Sequence, residues 1–250
     1  MVANIEASSP LSNLEELEVS EFKPFNVGIV IPTLNEEKNI KEVLLRSNGA
    51  GYDNILVIDG KSKDNTILVA TKGGAKIVLQ VGQGKGSAIR QVLSNSYFDV
   101  DAMVLIDADG SMDPAEIPAF IEALNSGADI VKGSRFLKGG HTYDMDAIRR
   151  CGNSILMFCV NFLFSTKYTD LCYGYAAFSK RAVEKLAPVL ESDGFEIETE
   201  IFIKALELGL VVKEIPSVEY ARKHGNSNLH AFKDGCKILE TVFQEFFRSK

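Results

Sequence analysis

The sequence predicts an α/β fold: a single domain with a mixed, mostly parallel sheet flanked by helices. Three observations carry that expectation. Short apolar runs alternate with segments of helical periodicity from Asn26 onward, and no internal repeat is present. Runs such as Met103-Val-Leu-Ile106 are apolar throughout, as strands buried on both faces are. The runs end in charged residues, Asp59, Asp107 and Arg135, which puts chemistry at the carboxyl ends of strands, where open parallel sheets bind ligands.

Residues 1–22, rich in Ser, Asn and Glu, read as a loose arm with one helical turn around Leu14 to Leu17. The folded domain is expected over 23–228, with 229–250 a C-terminal amphipathic helix packed on it. Asn26 to Pro32 is the first buried strand. Asn35 is placed to cap the next helix, with Glu36 and Glu37 in its first turn and Ile40, Val43 and Leu44 on its apolar face. Asn54 to Ile58 is a strand, Thr66 to Lys72 a helix, and Lys76 to Gln80 a strand. Gly82-Gln-Gly-Lys-Gly-Ser87 is a turn that leads into a helix through Ile89, Val92 and Leu93; it lacks the spacing of a dinucleotide fingerprint or a P-loop.

After the strand ending at Asp107, Pro114 sits in the first turn of a helix that runs to Gly127. Asp129 to Arg135 is a strand with a polar end. Phe136 to Asp146 has no periodicity and reads as a mobile loop. Arg149 and Arg150 open an apolar helix ending near Phe164. Ala176 to Phe178 is a strand followed by a helix from Lys180, and Gly194 to Glu200 starts another helix. Leu210 to Ile215 and Ser217 to Tyr220 are strands on either side of Pro216. The last helix, about 230 to 248, carries Phe232, Leu239, Val242, Phe243, Phe246 and Phe247.

Bulk composition narrows the function. Apolar residues make up 46% of the 250, enough for a sizeable core, and the net charge of −7 argues against a nucleic-acid partner. The four cysteines form no Cys-x-x-Cys pair, the polar opening does not read as a signal peptide, and no run approaches the roughly 20 apolar residues of a membrane span. A cytoplasmic protein is expected. The helix through Ile155–Phe164 and the Phe-rich last helix would allow peripheral contact with the cytoplasmic face of a membrane, or packing in the core or against a second copy.

The chemistry centres on Asp107-Ala-Asp109. Two nearby carboxylates repel, and a hard divalent cation holds both ionised. Mg²⁺ or Mn²⁺ bound by one or two carboxylates takes its other ligands from water and substrate phosphates, which suggests a metal–diphosphate site. The same pair also suits a solvated turn.

Ile31-Pro-Thr-Leu-Asn-Glu-Glu37, Ile58-Asp-Gly-Lys-Ser62 with Asp64, Gly84-Lys-Gly86, Asp107-Ala-Asp109, Gly133-Ser-Arg135 and Gly194-Phe-Glu-Ile-Glu198 fall in order along the chain. Together they resemble the family 2 glycosyltransferases of the GT-A fold, and most of all the dolichol-phosphate mannosyltransferase and polyprenyl-phosphate glycosyltransferase branch. The resemblance covers 26 to about 228. It implies a metal-dependent, inverting transfer of a hexose from a nucleotide-diphosphate sugar, of GDP-mannose or UDP-glucose type, to an acceptor such as a polyprenyl or dolichyl phosphate.

By the same resemblance, Pro32, Thr33, Asn35, Glu36 and Asp59 hold base and ribose, and Lys85 sits beside the nucleotide. Asp107, Ala108 and Asp109 face the nucleotide sugar, with Asp109 the direct metal ligand and Asp107 beside it. Arg135 reaches the diphosphate or the acceptor phosphate, and Arg222 and Ser227 belong to a late segment that closes on the diphosphate. Arg149, Arg150, Glu196 and Glu198 are candidates for the acceptor side.

One segment departs from the branch. Where an Asp-Pro-Thr-Ser-Gly-Phe-Arg-like stretch is usual, this chain has Asp170-Leu-Cys-Tyr-Gly-Tyr-Ala176, and Ser111 stands where a Gln is common. A sugar or alcohol acceptor is therefore the alternative, with Asp170 as its general base beside Asp109 and Arg135 in the catalytic set. Two further classes are a sugar nucleotidyltransferase, whose glycine/arginine-rich opening is here Pro32-Thr-Leu-Asn-Glu36, and a non-catalytic nucleotide-sugar-binding subunit.

Overall fold

The computed structural model describes residues 25–95, 97, 99–225, 227 and 229–248; the expected N-terminal arm and its helical turn lie outside the described residues. The elements follow the expected alternation: β1 (Val27–Thr33), α1 (Ile40–Gly49), β2 (Ile55–Asp59), α2 (Thr66–Lys72), β3 (Lys76–Leu79), α3 (Lys85–Leu93) and β4 (Ala102–Leu105). A 3₁₀ turn at Pro114–Glu116 leads into α4 (Ile117–Asn125), then β5 (Ile130–Ser134), β6 (His141–Thr142) and α5 (Ala147–Phe164). The chain continues through β7 (Ala176–Ser179), α6 (Lys180–Leu186), α7 (Ile197–Glu207), β8 (Val212–Pro216), β9 (Val218–Glu219) and α8 (Ala231–Arg248).

The main sheet has the order β3-β2-β1-β4-β7-β5-β8, and only β7 runs antiparallel to its neighbours. Chain order reverses at β1, which has β2 on one side and β4 on the other, so a crevice opens at the carboxyl ends of these strands. Because β7 is antiparallel, the residues that precede it, Asp170 to Tyr175, enter from that same edge.

Strand burial follows the pattern in the sequence. Val30, Leu56, Ile58, Met103 and Leu105 face one way and pack on α3, α6 and α7. Ile29, Ile31, Ile55, Val57 and Val104 face the other way and pack on α1 and α4. Pro32 costs no ladder bond: even-numbered residues of β1 face β4, and that pairing ends at Val30. Val242 of α8 is fully buried in the first cluster, which ties the amphipathic last helix to α5 and α7.

Three expectations are corrected. Asn35 does not cap α1. It lies in the left-handed region at φ 58°, its side chain accepts from Lys63 N–H at 2.8 Å, and Asn39 stands at the helix start instead. Phe136 to Asp146 is not irregular throughout, because β6 pairs with β9 in a small second sheet. The strand expected at Ser217 to Tyr220 shrinks to β9 and leaves the main sheet for that pairing. A two-residue bridge leaves no periodicity for a sequence to display.

Candidate active site

A cleft of about 1060 Å³ opens at the carboxyl edge of the sheet. One wall is polar. Pro32, Thr33, Leu34 and Glu36 follow β1, Gly60 and Lys61 follow β2, Gln80 and Gln83 follow β3, and Asp107, Ala108 and Asp109 follow β4. The far end is mostly apolar, between α5 (Ile148, Ile155, Leu156) and α8 (Phe232, Ile238), with Leu229 beside them; Arg149 and Asn153 of α5 and Asp234 of α8 line it too.

Lys85, at the start of α3, bridges two carboxylates: its Nζ lies 2.6 Å from Asp107 and 2.7 Å from Glu198 in the first turn of α7. Burial opposes the charged amine, but the two carboxylates outweigh burial and keep Lys85 protonated. The turn that delivers it needs glycine. Gly84 has φ 88°, and a Cβ there would lie 2.2 Å from the Asp193 carbonyl oxygen. The glycine-rich stretch therefore serves to dock the loop on residues 193–194.

Asp107 is pushed up to about 6, first by burial, with Lys85 pulling it down and Asp109 and Glu198 pushing it up. Asp109 accepts from Ser111 N–H at 2.9 Å and pairs with Arg222 at 3.1 Å. Arg222 also reaches Glu36 at 2.8 Å, so it spans the cleft's mouth between the β1 and β4 turns. Burial lowers its pKa, and Glu36 and Asp109 more than offset that. Asn39 fixes the segment by donating to the His224 carbonyl at 3.0 Å.

Arg135 lines the cleft, but its guanidinium is engaged from below. Nε meets Asp170 Oδ2 at 2.7 Å, Nη2 meets Oδ1 at 2.9 Å, and Nη1 donates to both Glu219 oxygens at 3.1 Å. Tyr173 lies under it, 4.8 Å from the ring centroid. The sequence did not single out Glu219; its place on β9, which also receives the Thr142 hydroxyl, gives it this role.

Pro32, Thr33, Glu36, Lys85, Asp107, Ala108, Asp109, Arg135, Arg222, Ser227, Arg149 and Glu198 thus share one cleft. Other expected residues do not line it. Asp59 is wholly buried behind the wall, where it accepts from Ser62 N–H at 2.7 Å and from the Ser62 hydroxyl at 2.6 Å, so it shapes the turn rather than presenting a carboxylate to a ligand. Asn35 clasps the same turn. Arg150 lies over the Phe136 ring, and Glu196 accepts from Gly194 N–H at 3.0 Å.

Asp170 is corrected as a general base. Its exposure is 0%, and both oxygens are bound to Arg135. Burial raises its pKa, but Lys132 and Arg135 more than reverse this, leaving a carboxylate below its ordinary range with no route to a substrate proton.

The Asp107–Asp109 turn suits a hard divalent cation. Both carboxylates face the cleft, and Asp107 Oδ2 has no protein partner among the described residues. No cage of three or more His, Cys, Asp or Glu is present among the described residues, so the protein would supply two carboxylates and substrate oxygens or water the rest.

A carboxylate pair, a buried lysine and an arginine thus meet at the carboxyl edge of the sheet. Residues 28–187 match the family described as Glycosyl transferase family 2, and the chain belongs to that family. Glycosyltransferase AglJ of Haloferax volcanii is 32% identical over 90% of this chain and 72% of its own length. A UDP-N-acetylglucosamine–dolichyl-phosphate N-acetylglucosaminyltransferase of Methanococcus voltae is 30% identical over 85% of this chain and 94% of that protein. A dolichyl-phosphate hexose transferase of Haloferax volcanii is 27% identical over 90% and 95%. Among solved structures, glucosyl-3-phosphoglycerate synthase of Mycobacterium tuberculosis with UDP shares the fold at a TM-score of 0.70, with 21% identity over 89% of this chain and 80% of that one. Family membership sets aside the nucleotidyltransferase and non-catalytic readings.

Proposed function

We propose that the protein transfers a hexose from a nucleoside-diphosphate sugar to a polyprenyl or dolichyl phosphate, with inversion at the anomeric carbon. The observation that carries this reading is the two-ended cleft, in which the Asp107–Asp109 carboxylates open into a mostly apolar trough between α5 and α8. A phosphate on an isoprenoid chain fits both ends, and two relatives are named for dolichyl phosphate.

Asp109, with Asp107, would hold Mg²⁺ or Mn²⁺; a solved glucosyl-3-phosphoglycerate synthase binds Mn²⁺ and UDP-glucose. When bound, the cation neutralises charge on the departing diphosphate. Lys85 adds a fixed positive charge beside Asp107, and Arg222 offers a guanidinium to phosphate oxygens once it leaves Asp109. An oxygen of the acceptor phosphate attacks the anomeric carbon as the bond to the diphosphate breaks. That phosphate is already ionised near pH 7, so no base is required, in keeping with the engaged state of Asp170. Rate comes from positioning and fixed charge.

Peripheral membrane contact at a cytoplasmic leaflet belongs to the same reading. Among the described residues no helix is long and apolar enough to cross a membrane, yet Phe158 (70% exposed) and Phe162 (75%) on α5 and Phe232 (88%) on α8 face outward. Liposome co-sedimentation tests the contact, and the oligomeric state is measured alongside. For the activity, UDP-glucose, UDP-N-acetylglucosamine and GDP-mannose are offered with and without a polyprenyl phosphate. Release of nucleoside diphosphate that needs both the lipid phosphate and a divalent cation supports the proposal. Release that needs a sugar or alcohol acceptor instead overturns it.

A further inference from the structure

Asn153, on α5, is a polar residue on the wall that Arg149 and Leu156 also line. It is 3% exposed, yet it lines the cleft. Its Oδ1 accepts from Leu171 N–H at 3.4 Å, which fixes the amide's orientation. Its Nδ2 is buried and has no hydrogen-bond partner among the described residues. Native proteins keep few buried donors unpaired, and those they keep call for a reason.

The surroundings supply one. Arg149, Asn153 and Leu156 fall at i, i+4 and i+7 on one face of α5, and all three line the cleft. Cation, amide donor and apolar side chain follow each other along that face in the order that an anionic head and an apolar tail present. Arg149 is only loosely held, 3.7 Å from Asp144. On the facing segment, Asp170 is bound to Arg135, Tyr173 pairs with the Ser217 hydroxyl and Tyr175 donates to the Asp113 carbonyl.

We propose that Asn153 is a specificity-determining residue for the acceptor: its Nδ2 donates to an oxygen of the acceptor's anionic head, beside Arg149, with the acceptor's apolar chain running on past Leu156. This rests on the lipid-phosphate reading above and assigns the recognition of the phosphate to α5.

The test titrates a fifteen-carbon isoprenyl phosphate against wild type, Asn153→Ser and Asn153→Asp. Asn153→Asp keeps an oxygen for Leu171 N–H and removes the amide donor, and Asn153→Ser replaces the amide with a shorter hydroxyl. KM for the isoprenyl phosphate should rise by roughly tenfold or more, the size of a hydrogen bond to a charged group, and more in Asn153→Asp than in Asn153→Ser. KM for the sugar donor and the Kd for the nucleoside diphosphate, measured on the same samples, should stay at wild-type values; the Kd also verifies the fold of each variant. Wild-type KM for the isoprenyl phosphate in a variant that binds the nucleotide normally overturns the assignment and leaves the function standing. If wild type does not use the isoprenyl phosphate at all, the lipid-phosphate function falls, and this assignment falls with it.

Discussion

Arg135 and Asp170 form a two-point ion pair inside the protein, 2.7 Å from Nε to Oδ2 and 2.9 Å from Nη2 to Oδ1, with side chains 4% and 0% exposed. The pair joins the end of β5 to the segment ahead of β7. Glu219 of β9 holds the remaining guanidinium nitrogen, so three separate stretches meet at one planar group. The carboxylate at the hub orients the arginine that lines the cleft, and it has no free lone pair directed at a substrate.

Asp170→Asn should therefore act on stability. Leaving Arg135 short of its partner costs about 3 kcal/mol, as breaking a buried pair does. Its pH dependence follows from the direction of the shift. Asp170 is held below its ordinary value of 3.8, so its stabilisation is full above that pH and is lost as the pH falls through the folded-state value. Urea unfolding across pH 2 to 7 should show a flatter acid limb in the variant. Transfer to a phosphate acceptor should keep its pH–rate shape; a missing limb in that profile would restore Asp170 as a base.

Asp109→Asn should abolish transfer with the fold intact. The asparagine oxygen still accepts from Ser111 N–H, so the turn survives, while the charge that faces the diphosphate is gone. Nucleoside diphosphate release should drop by about a thousandfold, at the upper end for a single electrostatic contact, with an unchanged melting temperature.

Much of this site was legible because its residues end strands. An apolar run that stops at Asp107 or Arg135 marks a carboxyl edge, and the sheet gathers those edges. What stayed hidden depends on partners remote in sequence. Asp59 and Asp170 carry the residue type of a ligand-binding group, and only the fold shows their oxygens occupied by Ser62 and Arg135. Asn35 suits a helix cap and a left-handed turn equally, and the clasp on residues 62–63 decides for the turn. Asn153 is one of several polar residues in α5, and its unpaired donor appears only when Leu171 is placed beside it.

Gly174→Ala tests the packing around Lys85. A Cβ at Gly174 would stand 2.7 Å from both Lys85 Nζ and Glu198 Oε1. The methyl group must push the bridge open, which separates Lys85 from Glu198 and weakens its hold on Asp107. Transfer should fall by about a hundredfold, the loss seen when a group near the chemistry is misplaced by an ångström. Glu198→Gln should give a milder loss, because the amide oxygen still accepts from Lys85. Equal activity in Gly174→Ala and wild type would mean the Lys85 bridge plays no part in catalysis.

Arg222 and a divalent cation want the same oxygen. Arg222 Nη2 sits 3.1 Å from Asp109 Oδ2 while Nη1 holds Glu36 at 2.8 Å, so the arginine serves as counter-ion to the carboxylate expected to bind the metal. A cation arriving alone must displace it and leave Arg222 without one of its two anions. A cation arriving with a nucleoside diphosphate brings phosphate oxygens that replace what Arg222 gives up. Arg222→Ala should then change two affinities in opposite directions. Mn²⁺ alone should bind roughly fivefold tighter, the scale of a partly exposed ion pair, because the competing charge is gone. The nucleoside diphosphate with Mn²⁺ should bind more weakly, because the guanidinium that closes on it is missing. Titration calorimetry of Mn²⁺ with and without the nucleotide measures both, and an unchanged affinity for Mn²⁺ alone would show that the two cations do not share Asp109.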